Sequence, residues 1–292
     1  MNKLGIHALV WAGGWSHEEC TQAIEQTAEI GYDYIEIPAL DPSSIDVDFT
    51  RQRLEKANLG VSLSLGLAPE ADISSEDPEK IARGEATLRD AVLLARDVGS
   101  PYVCGILYSA FTKYFHPPTR KGVENSIEVL RRVSEQAKKS DITIGLEVVN
   151  RYESNVINTA AQAVEVCKRV GTPNIKVHLD TYHMNIEEND VVSAMKETGD
   201  FLNYFHIGES HRGYLGSGSI NFDDVFRGIV YSGYKGPITF ESFSNVVVHK
   251  ELASILGIWR NLWDDGFDLA VHAKAFMDTH LKSAHESISA SA

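Results

Sequence analysis

The chain has 292 residues, 43% of them hydrophobic, which is enough to bury a sizeable core without disulfide or metal staples. Its 41 acidic residues outnumber 27 basic ones and leave a net charge of −14. That disfavours non-specific nucleic-acid binding, which rests on neutralising phosphates with Lys and Arg. No apolar run approaches the ~20 residues of a membrane span, and the start shows no basic segment leading into a long apolar stretch, so neither a membrane anchor nor a signal peptide is expected. Three cysteines, Cys20, Cys104 and Cys167, are odd in number and lack CxxC spacing; a reducing cytoplasm is the expected location.

In chain order, strand signals fall at 4–10, 34–38, 61–65, 102–106, 142–147, 175–180, 201–206 and 238–241. Amphipathic helical patterns alternate with them at 16–30, 49–58, 78–98, 121–139, 160–170, 191–198 and 222–232. Eight strands with helices between them predict an α/β chain of parallel strands, a (β/α)8 TIM barrel. No Pro/Gly/Ser-rich linker divides residues 1–292, so one domain is expected. The first strand is not followed by GxGxxG, which argues against a nucleotide cofactor. Residues 251–281 carry Trp259, Trp263, Phe267 and Phe276 and read as a final barrel helix plus an extra C-terminal covering helix, with a subunit interface as the second reading. The tail 283–292 is small and polar and is expected to fray.

The last four strand signals end on Glu147, Asp180, His206 and Glu241. Each interval between them holds a loop, a helix and the next strand. A (β/α)8 barrel gathers the C-terminal ends of its strands on one face, so these four would converge. Two Glu, one Asp and one His form an O/N ligand set for a divalent cation: Mn²⁺ first, with Co²⁺ or Mg²⁺ as alternatives. His178 shares the strand of Asp180 and points the same way; it reads as a satisfied interior histidine rather than a fifth ligand. Trp11 and Trp15 could face a ligand or pack the core. Cys104 reads as a buried small hydrophobe.

Around these strand ends the sequence resembles the ketose 3-epimerases (D-tagatose, D-psicose or allulose, and L-ribulose 3-epimerases) of the xylose-isomerase-like barrels. The matching stretches are EVVNRYE at 147–153, HLDTYHMN at 178–185, HIGESHRG at 206–213, GSGSINF at 216–222 and ITFESF at 238–243. The resemblance implies that Glu147, Asp180, His206 and Glu241 bind the metal and that Glu147 and Glu241 double as the acid/base pair. It further implies that Glu153, His183 and Arg212 hold a free ketose near its keto end. His7, Tyr108, Phe111 and Phe115 stand where members of the family differ. His7, Tyr108 and Phe243, the last a candidate lid, are carried as further substrate contacts. A homodimer or homotetramer is expected, with no nucleic-acid or membrane partner.

The chemistry fits this set. Epimerising carbon 3 of a ketose removes a proton α to the carbonyl and returns one to the other face, through an enediolate. A cation stabilises the developing charge, and two bases must stand on opposite faces. The residues alone leave other readings open. Glu153 could pair with Arg151 rather than touch a hydroxyl. His183 could satisfy a loop carbonyl, and Arg212 could be a surface arginine. His211 reads as a solvated loop histidine. The loop GYLGSG at 213–218 sits where barrels often bind phosphate, but it has no Lys, so a phosphorylated substrate is not expected. A related sugar isomerase or inosose-dehydratase-like enzyme would share the ligands. An endonuclease-IV-like DNA repair enzyme would need more histidines and a basic groove. A non-catalytic binding barrel would not need both glutamates.

Overall fold

The eight strand signals become eight strands of one closed sheet. In the computed structural model, which describes residues 2–291, these are β1 (Leu4–His7), β2 (Tyr34–Pro38), β3 (Gly60–Leu67), β4 (Tyr102–Ala110), β5 (Thr143–Glu147), β6 (Ile175–Asp180), β7 (Leu202–Ile207) and β8 (Ile238–Phe240). Each pairs in parallel with its sequence neighbour, and β8 closes on β1. The strands are apolar and almost wholly buried. That is the signature of a parallel sheet covered by helices outside and filled by its own side chains inside.

The helices are α1 (His17–Ile30), α2 (Val47–Ala57), α3 (Pro78–Val98), α4 (Arg120–Lys138), α5 (Ala160–Val170), α6 (Thr181–Glu187), α7 (Val191–Thr198), α8 (Phe222–Tyr231), α9 (Lys250–Leu256) and α10 (Gly266–Ser291). Local chemistry sets their limits. Ser16 and Glu19 form a reciprocal capping box at the start of α1, as Thr159 and Gln162 do for α5. Gly31, Gly99 and Gly171 end α1, α3 and α5 in the left-handed conformation. Among the described residues no helix is long and apolar enough to cross a membrane. The three cysteines are free and buried.

Four boundaries differ from the sequence expectation. β1 stops at His7, because the His7 ring accepts the Leu9 amide and turns residues 8–10 into a 3-10 turn. β4 runs on to Ala110 past a register shift against Gly66 and Leu67. Residues 181–187 form α6, started by Asp180, whose carboxylate accepts the Tyr182 amide. The tail expected to fray is helical as far as Ser291, continuing a helix that buries Leu281 and Ala284; Ala292 lies outside the described residues. The covering helix itself is as expected: α10 packs on α8 and α1, and the Tyr32 hydroxyl donates to the Ala270 carbonyl at 2.8 Å.

Gly84 marks a close approach. It lies inside α3, and a Cβ there would stand 2.1 Å from the Ala71 carbonyl oxygen and 2.5 Å from a methyl of Ile73. Replacing an exposed mid-helix glycine by alanine gains up to about 1 kcal/mol, whereas overpacking a filled interior costs about 1–3 kcal/mol. Gly84→Ala is therefore expected to lower stability, measured by chemical denaturation. A rise would show that the turn at 69–71 yields freely.

Candidate active site

Register builds the site. Glu147 at the end of β5 stands opposite His178 on β6, and Asp180 at the end of β6 stands opposite His206 on β7. Glu241 directly follows β8, with its amide donating to the Ile207 carbonyl at 3.0 Å. One ligand atom from each of Glu147, Asp180, His206 and Glu241 lies within 4.8 Å of all the others, and all four residues are buried. The Nδ1 of His206 faces Glu241 at 3.5 Å, Glu147 at 3.8 Å and Asp180 at 3.9 Å, yet it has no hydrogen-bond partner. A buried ring nitrogen left unpaired among three carboxylates is what a divalent cation would satisfy, so the residues fit such an ion.

The other face of the His206 ring explains its orientation. Its Nε2 lies 2.9 Å from the carboxylate of Glu36, deep in the barrel on β2. Burial alone would raise the Glu36 carboxyl, but His206, with His7 and His178 nearby, holds it down at about 2. Burial disfavours the His206 imidazolium, but Glu36 and Glu241 outweigh it and raise the ring's proton affinity well above the usual histidine value. A cation at Nδ1 would take that proton's place.

The two glutamates are not equivalent. Burial, reinforced by the charges of Glu241 and Asp180, pushes the Glu147 carboxyl well up. Burial acts on Glu241 too, but Arg212 and His206 outweigh it and hold Glu241 well down. Arg212 donates to Glu241 at 2.6 Å and to Asp180 at 3.0 Å. Its guanidinium lies over the Tyr182 ring at 4.0 Å, with Phe243 at 5.2 Å. Its backbone is left-handed, φ 63°, and is held by a hydrogen bond from the Ser242 hydroxyl to its carbonyl; Ser242 in turn accepts from the Trp263 indole.

The remaining expected contacts sort themselves. His183 accepts the Asn150 amide at Nδ1, 3.1 Å away, which leaves the proton of the neutral ring on Nε2. That nitrogen is 3.7 Å from Glu147 and 3.8 Å from Glu153. Arg151 pairs with Glu187 at 2.7 Å, so Glu153 is free of it and instead accepts from the Asn150 side chain at 2.9 Å. Burial lifts the Glu153 carboxyl to about 7, although Arg212 and Asn150 oppose the shift. His7, Glu153, His183, Arg212 and Phe243 all line one cavity above the four-residue cluster. Its far wall is apolar, formed by Leu9, Leu40, Leu65, Phe111, Leu252 and Leu256. Leu9, Phe243, Val248 and Ala253, with Leu252, Leu256 and Ile258 against them, make a small apolar cluster separate from the main core.

Other expectations change. Tyr108 is buried and absent from the cavity lining; its hydroxyl is used up on the carbonyls of Glu147 and Ile157, at 2.8 and 3.1 Å. Phe115 is 89% exposed and, with Tyr152, receives Lys113 as a cation over the rings. Trp11 and Trp15 pack inward and donate to Thr27 and Thr50. Cys104 is a buried small group donating to the Leu63 carbonyl. His178 is interior but not satisfied: neither ring nitrogen has a protein hydrogen-bond partner, and Nδ1 is 4.0 Å from Glu147. In the loop 213–218 the amides of Gly213, Gly216 and Ser217 are already bonded within the chain. Glu209, fully buried, accepts from the amides of Ser210 and Gly216 at 2.7 and 2.9 Å.

Sequence reasoning missed Glu36 and Glu209. Glu36 left one signal, a charge at the centre of the apolar run YIEIP. Glu209 left none, since a Glu in a polar loop looks solvated.

The family model of xylose isomerase-like TIM barrels matches residues 24–269. A ketose 3-epimerase of Arthrobacter globiformis is 46% identical over 94% of this chain and 95% of its own length. An L-ribulose 3-epimerase of Methylomonas sp. (strain DH-1) is 46% identical over 94% and 96%. The crystal structure of a Methylomonas sp. D-allulose 3-epimerase in complex with D-allulose superposes with a TM-score of 0.94 at 45% identity, covering 96% of this chain and 97% of the other.

The lifted Glu153 makes stability depend on pH. The unfolded chain gives up this proton near the ordinary carboxyl value of 4.5, whereas the folded chain keeps it until about 7. The folded state therefore binds more protons in that window, and its stability falls as pH rises through it. In chelator-treated protein, Glu153→Gln is expected to flatten the decline of Tm between about pH 5 and pH 7 relative to wild type. Parallel Tm curves would show that Glu153 does not titrate there.

Proposed function

The chain belongs to the xylose isomerase-like TIM barrels and, within them, to the ketose 3-epimerases, and from that premise we propose that it epimerises free ketoses at carbon 3, with Glu147 and Glu241 as its acid/base pair. The candidate substrate pairs are D-psicose/D-fructose, D-tagatose/D-sorbose and L-ribulose/L-xylulose. One observation carries the reading: two buried glutamates, from the ends of β5 and β8 with β6 and β7 between them, share a cluster with one unpaired imidazole nitrogen.

Glu147, Asp180, His206 and Glu241 would hold the divalent cation, Mn²⁺ before Co²⁺ or Mg²⁺. Bound there, it would supply Lewis-acid stabilisation of the negative charge that develops on the sugar oxygens. The chain's own groups account for the rest. One glutamate takes the proton from carbon 3 and the other returns one to the opposite face. Arg212 bonds Glu241 but not Glu147, so Glu241 starts as the carboxylate and Glu147 as the acid; the roles exchange in the reverse direction. His183 presents Nε2–H to the keto end of the sugar. Glu153 accepts from a hydroxyl, and Arg212 supplies further donors. Phe243, Leu252 and Leu256 keep water from the reacting centre. The buried Glu209 carboxylate, bonded to the Ser210 and Gly216 amides and adding negative charge beneath the loop, supports a free rather than phosphorylated sugar. The buried free cysteines support a cytoplasmic location. The exposed Phe115 and Tyr152 offer a homo-oligomer, dimer or tetramer, a surface to use.

Chelated protein given back Mn²⁺ is expected to convert a free ketose to its carbon-3 epimer and, in deuterated water, to place deuterium at carbon 3. NMR of the recovered sugars reads both. An aldose product without solvent label would instead identify a hydride-shifting isomerase, and full activity in demonstrably metal-free protein would remove the cation.

Glu147→Gln and Glu241→Gln are each expected to lower kcat by at least ~10²–10⁴-fold, the usual loss for a general acid or base, while circular dichroism shows the barrel intact. Either variant turning over at near the wild-type rate would take that residue out of the pair.

A further inference from the structure

We propose that Glu36 is the positioning residue of the metal centre: its carboxylate holds the His206 ring so that Nδ1, and not Nε2, meets the cation. The inference rests on the metal-dependent reading above and extends it to a residue on the far side of the barrel. His206 is the one nitrogen donor in the four-residue cluster, and an imidazole offers two chemically similar nitrogens. Which one binds is decided by the hydrogen bond the other makes. The Glu36 Oε2 is 2.9 Å from His206 Nε2, with both side chains essentially inaccessible to water.

The carboxylate is itself fixed. The Tyr204 hydroxyl donates to the same Oε2 at 2.6 Å. That hydroxyl also lies 2.6 Å from Ser62 Oγ and 2.8 Å from Thr239 Oγ1, which meets Tyr34 at 2.7 Å. Side chains from β2, β3, β7 and β8 thus form a polar layer beneath the cluster, inside an otherwise apolar barrel. A buried carboxylate is costly unless it is paired, and a purely structural need here would be met by any hydrogen-bonding group. A carboxylate facing Nε2–H does more. It fixes the tautomer and makes Nδ1 a better donor, an arrangement whose loss weakens metal binding by 10–100-fold.

The test is Glu36→Gln, which keeps the shape and an acceptor oxygen but removes the charge. Thermal unfolding of the chelated variant first establishes that it folds. Competition against a chelator is expected to show Mn²⁺ and Co²⁺ bound about 10–100-fold more weakly than by wild type, and the visible absorption of the Co²⁺-loaded protein is expected to shift, a change that a merely structural bond would not produce. Wild-type affinity together with an unchanged cobalt spectrum would overturn the proposal. Should the variant not fold, wild-type protein labelled with ¹⁵N-histidine and loaded with Zn²⁺ decides the point: the His206 resonances, identified by their loss in His206→Gln, must show metal on Nδ1 and a proton on Nε2. Metal on Nε2 would overturn it. Wild-type protein that binds no divalent cation would instead refute the metal-dependent reading, so the two failures are distinct.

Discussion

Asp180, Glu147 and Glu241 are pressed together around one imidazole in a space nearly closed to water. Like charges so placed resist ionisation, and burial adds to the resistance. Much of the mouth of the barrel answers this one constraint. Arg212 leans on two of the three carboxylates, and its own charge is secured by theirs. The strained backbone of Arg212 is the kind of conformation that persists only where the surroundings over-determine it, and Ser242 with Trp263 does that here. Were Glu147 protonated and a divalent cation bound, the carboxylates of Glu36, Asp180 and Glu241 would balance that cation and the Arg212 guanidinium, leaving the centre close to neutral.

The barrel meets the constraint with rigid parts. Three of the four clustered groups stand on strands and the fourth directly follows one. Their positions follow from parallel register rather than from loop conformation. The segments after the strands supply the cavity walls: Arg212 after β7, Glu153 after β5 and, after β8, Phe243 with Leu252 and Leu256 of α9. Sites built on strands hold their geometry more tightly than sites on loops.

This division explains what the sequence discloses. Glu147, Asp180, His206 and Glu241 are legible because an apolar run ending on a polar residue is a one-dimensional pattern, and the barrel repeats it. Tyr108 misleads because the resemblance sets it in the wall near β4 but cannot tell that its hydroxyl would meet two carbonyls. The end of β1 at His7 depends on one side-chain cap, and the extension of β4 depends on a register shift against β3; neither is a periodic signal. Glu36 stays hidden because its partner lies on β7, across the barrel. Glu209 stays hidden because its value lies in the amides it occupies, which sequence does not locate. The orphaned nitrogens of His178 are equally invisible to pattern, since an interior histidine is ordinarily satisfied.

The cover over the cavity has a bearing on motion. Leu252 and Leu256 of α9 belong to a small apolar group with Leu9 and Phe243, apart from the main core. Local stability tracks local burial, and segments with few apolar contacts open at a fraction of the global unfolding free energy. Lifting α9 would disturb that small group and leave the hydrogen-bonded barrel whole. The cover and the clustered carboxylates thus belong to parts of the molecule of unequal local stability, joined through Phe243, which packs on both His7 and Arg212.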